Sequence, residues 1–257
     1  MASAVPDCGK LWADKPRRSD SIRPMRNPII VALDLPDAAA AIRLAERLTP
    51  VVGAFKIGKE LFTAAGPEIV RRFRAAGAPV FLDLKFHDIP STVAKAVETA
   101  TRLDVQMITI HASGGRTMMA AAEKAAQETA KSLGHPAPLV LGVTVLTSMD
   151  ASDLVEIGLT APPVAQVERL AKLAIQAGLR GLVCSPQELS ALRKILPAET
   201  QLVTPGIRPH DSEKGDQKRT LTPKEAITAG ASWLVIGRPI TGAADPRAAA
   251  EKILASL

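Results

Sequence analysis

Short apolar runs rich in β-branched residues alternate with longer, alanine-rich stretches from residue 29 to the end of the chain. Eight of the short runs have the length and composition of buried strands, and they cover residues 29–33, 54–57, 80–84, 107–110, 139–145, 181–184, 201–204 and 233–236. The stretches between them space their apolar residues as one face of a helix does, at 38–48, 67–76, 92–103, 116–132, 163–177, 186–195, 224–229 and 246–257.

Eight strand-then-helix units in succession predict a single-domain α/β protein with the (β/α)8 TIM barrel fold. The structural alternative is an open, doubly wound parallel sheet. No Gly-x-Gly-x-x-Gly motif follows the first predicted strand, and this disfavours the dinucleotide-binding form of that alternative.

Residues 1–27 do not share this pattern, because they are polar, rich in Pro and Arg, and without periodicity. We predict a disordered extension at 1–27 and a barrel domain at 28–257. The extension holds six basic and three acidic residues, so its net charge of +3 is half of the chain's net charge of +6. Because the rest of the chain has only a modest positive excess and no basic stripe with interleaved aromatic residues, we expect an anionic small molecule as its partner and no nucleic acid.

The composition narrows the class of protein further. Aromatic residues make up only 3% of the chain and Tyr is absent, so the core must be aliphatic, which favours helices packed on a parallel sheet. No apolar run reaches the roughly 18 residues of a membrane-spanning helix. The two cysteines and the scattered histidines have no metal-ligand spacing. We therefore expect no membrane partner, no disulfide, no metal and a cytoplasmic location.

Polar residues follow several predicted strands at the end where the active sites of such barrels form. Asp34 follows the first strand and Lys56 lies in the second. The third ends in Asp83 and Lys85, with Asp88 just beyond. Because side chains two residues apart on a strand point to the same side, Asp83 and Lys85 are expected to face the barrel mouth together. A salt bridge that only caps the strand is the alternative, and the convergence of five charged residues favours a site.

The last two strands are followed by features of a phosphate site. Gly206 and Arg208 come after the seventh strand, and Gly237 and Arg238 come after the eighth. The loops at these two positions commonly bind phosphate in barrels, since glycine lets backbone N–H groups approach an anion and arginine offers a planar fork of donors. The long polar segment 208–220 between them is predicted to be a lid, with plain surface disorder as the alternative.

These motifs together resemble the orotidine 5′-phosphate decarboxylase family. The most specific is the segment 81–90, Phe-Leu-Asp-Leu-Lys-Phe-His-Asp-Ile-Pro, and shorter matches occur at 31–34, 56–58, 144–148, 204–208 and 236–240. The resemblance runs from about residue 29 to the C-terminus and leaves out only the N-terminal extension.

The resemblance implies decarboxylation of orotidine 5′-phosphate to UMP and CO2, the last step of de novo pyrimidine nucleotide biosynthesis, without cofactor or metal. Lys85 would donate the proton to C6 of the pyrimidine. It would belong to a catalytic charged network whose members are Lys56, Asp83, Lys85 and Asp88. The protein would be a homodimer with shared active sites, in which Asp88 comes from the other subunit.

The resemblance also implies a set of substrate-binding residues. Asp34 and Lys56 would hold ribose hydroxyls, Asp83 would face the substrate beside Lys85, and Thr92 would reach in from the partner subunit. Thr147 would meet the base. The phosphate would be bound by Arg208, Gln217, Gly237 and Arg238, with Gln217 on the lid.

Two other functions stay open at this point. One is a Mg²⁺-dependent decarboxylase or aldolase of the same barrel group acting on a sugar phosphate, which shares an Asp-x-Lys-x-x-Asp core. The other is a non-catalytic protein that binds a phosphate ligand. The residues after Lys85 favour the pyrimidine enzyme, and two lysines beside carboxylates would be unusual in a passive binder.

Overall fold

The computed structural model describes residues 27–209 and 220–257. Eight parallel strands close into a barrel in chain order, each paired with the next and the eighth with the first. The strands are β1 Ile29–Ala32, β2 Ala54–Gly58, β3 Val80–Phe86, β4 Met107–His111, β5 Leu139–Val143, β6 Gly181–Val183, β7 Gln201–Thr204 and β8 Trp233–Ile236. The predicted (β/α)8 fold and all eight strands are confirmed.

The α-helices of the described residues surround this barrel. They are α1 Ala38–Leu48, α2 Lys59–Ala65, α3 Glu68–Ala75, α4 Pro90–Thr101, α5 Gly115–Leu133, α6 Ala151–Glu156, α7 Pro163–Gln176, α8 Leu189–Ile195, α9 Pro223–Thr228, α10 Arg238–Thr241 and α11 Pro246–Ala255. Among the described residues, no helix is both long and apolar enough to cross a bilayer.

The sequence pattern missed three short helices, α2, α6 and α10. Helix α2 begins at the residue after β2, without any intervening loop. Helix α6 has a capping box in which the side chains of Asp150 and Asp153 each accept a hydrogen bond from the other's backbone N–H. The Asp-x-x-Asp spacing in the sequence is typical of such a helix start. Helix α10 is a single turn that starts at Arg238, too short for any periodicity to show.

Two apolar layers hold the fold together. Outward-facing strand residues pack under the helices, as where the rings of Phe55 on β2 and Phe73 on α3 meet edge to face at 5.7 Å. Inward-facing residues, among them Ile30, Phe81 and Trp233, fill the lower barrel. Because side chains alternate along each strand, the next inward positions lie at the carboxyl end, and polar residues occupy several of them.

Candidate active site

The carboxyl ends of the strands surround a cavity of about 510 Å³. Its charged lining comes from Asp34, Lys56, Asp83, Lys85, Arg208 and Arg238. These residues lie after or within strands β1, β2, β3, β7 and β8. All six residues were predicted to lie at this end of the barrel, and their side chains line one cavity.

Lys56 lies between two carboxylates. Its Nζ is 2.8 Å from Oδ1 of Asp34 and 3.7 Å from Oδ2 of Asp83. The Lys56 and Asp83 side chains are each only 11% exposed, whereas that of Asp34 is 58% exposed. A buried ammonium is stable only when it is paired, and the two carboxylates provide that pairing.

Lys85 pairs with Asp83 through an interruption of strand β3. Its Nζ lies 2.8 Å from each carboxylate oxygen of Asp83. Between Leu82 and Phe86, β3 advances four residues while β4 advances only from Ile108 to Ile110. Lys85 lies in this bulge with a φ of 53°, which is rare for a residue other than glycine. The two side chains share the cavity as predicted, but a bulge rather than a regular pleat brings them there.

Thr109 on β4 completes this cluster, and the sequence reasoning missed it. Its hydroxyl accepts a hydrogen bond from the backbone N–H of Lys85 and donates one to Oδ1 of Asp83, both at 2.9 Å. The side chain is completely buried. The sequence did contain an indication of this role, because Thr109 is a polar residue at an inward position of an otherwise apolar strand.

The carboxyl of Asp83 is held in its charged form. Burial acts to raise its pKa, but the ammonium groups of Lys56 and Lys85 and hydrogen bonds from Lys85 and Thr109 outweigh burial and lower the pKa below its ordinary value. The site therefore presents a carboxylate between two ammonium groups.

The predicted phosphate residues lie at the same cavity. Arg208 is buried, and its Nη1 donates to the carbonyl of Ile207. Gly237 and Arg238 line the cavity, and Arg238 begins helix α10. Gln217 and most of the predicted lid, residues 210–219, lie outside the described residues.

The other predicted site residues divide into two groups. Thr147, in the loop after β5, lines the cavity. Asp88 and Thr92 are exposed and do not line it within one chain. Asp88 instead accepts from the backbone N–H of Ile89 at 2.6 Å, and Ile89 is 64% exposed.

His87 and His111 lie together at the same end of the barrel. Their ring centroids are 5.4 Å apart, with the planes tilted by 42°. Burial, followed by the nearby His87 and Lys85, lowers the pKa of His111. The two side chains contact each other through their rings.

The cavity also has an apolar wall, whose residues were not among the predicted site residues. Phe81, Val143, Val183 and Val235 contribute to it from four different strands. These residues occupy inward positions of their strands, but each lies within a continuous apolar run, so the sequence does not separate inward from outward positions there. No group of three or more His, Cys, Asp or Glu side chains suited to hold a metal occurs within residues 27–209 and 220–257.

Comparison with known proteins agrees with this geometry. The profile of the orotidine 5′-phosphate decarboxylase / HUMPS family matches residues 27–253. The chain is 52% identical to orotidine 5′-phosphate decarboxylase of Moorella thermoacetica over 233 residues, which cover 90% of this chain and 92% of that protein. It is 54% identical to the protein of the same name from Opitutus terrae over 229 residues, 89% of this chain and 97% of the other.

A solved structure is similar over nearly the same length. The crystal structure of orotidine 5′-phosphate decarboxylase from Lactobacillus acidophilus superposes with a TM-score of 0.77 at 37% sequence identity. The match covers 90% of this chain and 98% of that one.

Proposed function

The chain belongs to the orotidine 5′-phosphate decarboxylase / HUMPS family, and we propose that it decarboxylates orotidine 5′-phosphate to UMP and CO2, the last step of de novo pyrimidine nucleotide biosynthesis in the cytoplasm. One observation carries the proposal above the others. The ammonium of Lys85, paired with Asp83, lines the same cavity as two arginines suited to a phosphate. The cavity thus has both a proton donor and an anion-binding site within reach of a single phosphorylated ligand.

Lys85 is the proton donor in this proposal. The bond between C6 and the substrate carboxylate breaks, CO2 leaves, and the electron pair stays on C6. The Lys85 ammonium stabilises this developing charge and then transfers a proton to C6, and the resulting amine regains its proton from solvent. The pairing with both oxygens of Asp83 at 2.8 Å keeps the donor in one orientation throughout.

The remaining cavity residues bind the substrate. Asp34 and Lys56, paired at 2.8 Å, hold the ribose hydroxyls, and Thr147 meets the base. Arg208, Gly237 and Arg238 bind the phosphate, and Gln217, which lies outside the described residues, is proposed to bind it as well. Because the phosphate lies away from the reacting carbon, its binding energy stabilises the closed site and so the transition state.

We further propose a homodimer in which each site is completed by the other subunit. Asp88 and Thr92 do not line the cavity of their own chain. Asp88 lies two residues after β3, within the most specific motif, and Thr92 lies in the first turn of α4. An exposed Ile89 between them is consistent with contact to a second copy. Asp88 would then approach the Lys85 of its partner.

The decisive experiment follows the loss of orotidine 5′-phosphate absorbance on addition of the purified protein. The wild type should convert the substrate, and Lys85→Ala should lower kcat by at least about 100-fold, the lower limit for loss of a general acid. Lys124→Ala is the matched control, because this lysine lies on α5 and its side chain is 73% exposed. It should retain full activity.

Three outcomes would count against the proposal. A folded wild type that leaves the substrate unchanged would exclude the reaction. Substantial turnover by a folded Lys85→Ala variant would exclude Lys85 as the acid. Activity that is abolished by EDTA and restored by Mg²⁺ would instead favour the sugar-phosphate chemistry found elsewhere among barrels of this kind.

A further inference from the structure

The hydroxyl of Thr109 joins the backbone of one charged residue to the side chain of another. It accepts from the N–H of Lys85 and donates to Oδ1 of Asp83, at 2.9 Å each. A hydroxyl has one donor and two acceptor positions, so it can serve both neighbours at once. Since a charged carboxylate can only accept and an amide N–H can only donate, the direction of both bonds is fixed.

The bulge in β3 explains why this bridge is needed. Where β3 advances four residues against two of β4, the regular pairing of backbone groups is interrupted. The N–H of Lys85 meets a side-chain oxygen of Thr109. Lys85 also has a φ of 53°, a conformation that residues with a Cβ rarely adopt unless surrounding contacts hold them in it.

The bridge acts on both members of the ion pair. Oδ1 of Asp83 accepts from the Lys85 ammonium at 2.8 Å as well as from Thr109. Thr109 therefore fixes where the Lys85 backbone lies and where the carboxylate that orients its ammonium lies. Complete burial of Thr109 means that water does not replace the hydroxyl without a rearrangement of the strand.

We propose that Thr109 is a positioning residue that holds the Lys85–Asp83 pair in the geometry required for proton transfer. This inference rests on the proposed function, in which Lys85 protonates C6. Thr109 itself does not line the cavity and acts through Lys85 and Asp83. Its loss should therefore slow the chemical step while leaving the phosphate and ribose contacts in place.

The test compares Thr109→Val, Thr109→Ala and Thr109→Ser with the wild type in single-turnover decarboxylation, so that product release does not mask the chemical step. Val removes the hydroxyl but keeps the size of the side chain, Ala removes both, and Ser keeps the hydroxyl. We expect the rate constant to fall by about 10- to 100-fold in the Val and Ala variants, the range for losing a hydrogen bond to a charged group. Ser should stay within about 3-fold of wild type.

Two readouts separate positioning from general damage to the fold. Affinity for UMP should change by less than about 3-fold in every variant, because the phosphate-binding residues are untouched. Thr101→Val is the matched control, since Thr101 is equally buried but its hydroxyl bonds only the carbonyl of Val97 within α4. It should react at the wild-type rate.

The possible outcomes are distinct. If Thr109→Val is not obtained folded, the comparison of Ala with Ser still isolates the hydroxyl. A Val or Ala variant as fast as the wild type overturns the inference, and so does a Ser variant as slow as Ala, because the hydroxyl would then restore nothing. An inactive wild type would instead overturn the proposed function.

Discussion

Both carboxylate oxygens of Asp83 lie 2.8 Å from the ammonium nitrogen of Lys85, the second residue after it in β3. An ammonium has three N–H groups, so at least one remains directed away from Asp83. Lys56 approaches the same carboxylate at 3.7 Å. The Asp83 carboxylate therefore pairs with two ammonium groups, and its removal should lower both the stability of the fold and the rate of catalysis.

Asp83→Asn tests this balance. The variant leaves Lys85 without its counter-charge, and breaking a well-buried pair costs about 3–5 kcal/mol. Because the Lys85 side chain is 24% exposed, solvent should reduce the loss to about 1–3 kcal/mol. Urea unfolding at neutral pH measures it. A variant as stable as the wild type would show that the pair contributes nothing to folding.

The same pair of proteins should show a defined pH dependence. Because the pKa of Asp83 is lowered in the folded state, its contribution to stability is complete above the unfolded pKa of about 3.9 and is lost as pH falls through the lower folded value. The difference in unfolding free energy between wild type and Asp83→Asn should thus be constant from neutral pH to about pH 5 and shrink only below about pH 4. Shrinkage already at pH 6 would contradict the lowered pKa.

Gly58→Ala tests the space beside Lys56. A Cβ at this position would lie 2.9 Å from Nζ of Lys56 and 3.1 Å from Oδ1 of Asp34. Both atoms are ends of flexible side chains, so stability should change by less than about 1 kcal/mol. The displaced pair should weaken substrate binding, with KM raised about 3- to 10-fold. Steady-state kinetics with a parallel unfolding curve measure both, and an unchanged KM would show that the pair does not contact the substrate.

The sequence was sufficient for the barrel and for most of the charged site. Alternation of strand and helix patterns identified all eight strands, because each buried strand is a short apolar run between polar loops. Asp34, Lys56 and Asp83 could be placed at the carboxyl end of the barrel because they lie within or next to such runs. These features are local, and local patterns can be read from a single chain.

The parts that were missed depend on neighbouring strands. The bulge at Lys85 is a mismatch of register between β3 and β4, and no single-strand pattern reveals it. The bridge through Thr109 joins residues 24 and 26 positions apart in the chain. Helix α10, with only four residues, has too few turns for a periodic signal.

Arg238→Ala tests the phosphate grip. A hydrogen bond to a charged group contributes about 1.5–3 kcal/mol, or roughly 10- to 150-fold in affinity. Because Arg238 is exposed, the lower end of that range is expected for UMP, with little change for uridine, which lacks the phosphate. Calorimetric titration with both ligands measures the contrast. Arg247→Ala, whose guanidinium pairs with Glu251 on α11, is the control, and equal weakening for both ligands would show that Arg238 does not bind the phosphate.

Mixing of two inactive variants tests whether the site is shared between subunits. If Lys85 comes from one chain and Asp88 from the other, Lys85→Ala and Asp88→Ala should each be inactive alone. In a mixed dimer one site carries both lesions and the other carries neither. Random exchange makes about half of the dimers mixed, so about a quarter of wild-type activity should return in a two-fold symmetric assembly.

The exposed position of Asp88 makes this test informative. Within its own chain Asp88 does not line the cavity that contains Lys85, so a Lys85–Asp88 contact requires either a second copy or a movement of the segment after β3. Fluorescence transfer between labelled subunits would confirm exchange independently of activity. If exchange is complete and no activity returns, Asp88 serves the Lys85 of its own chain, and the shared site is wrong.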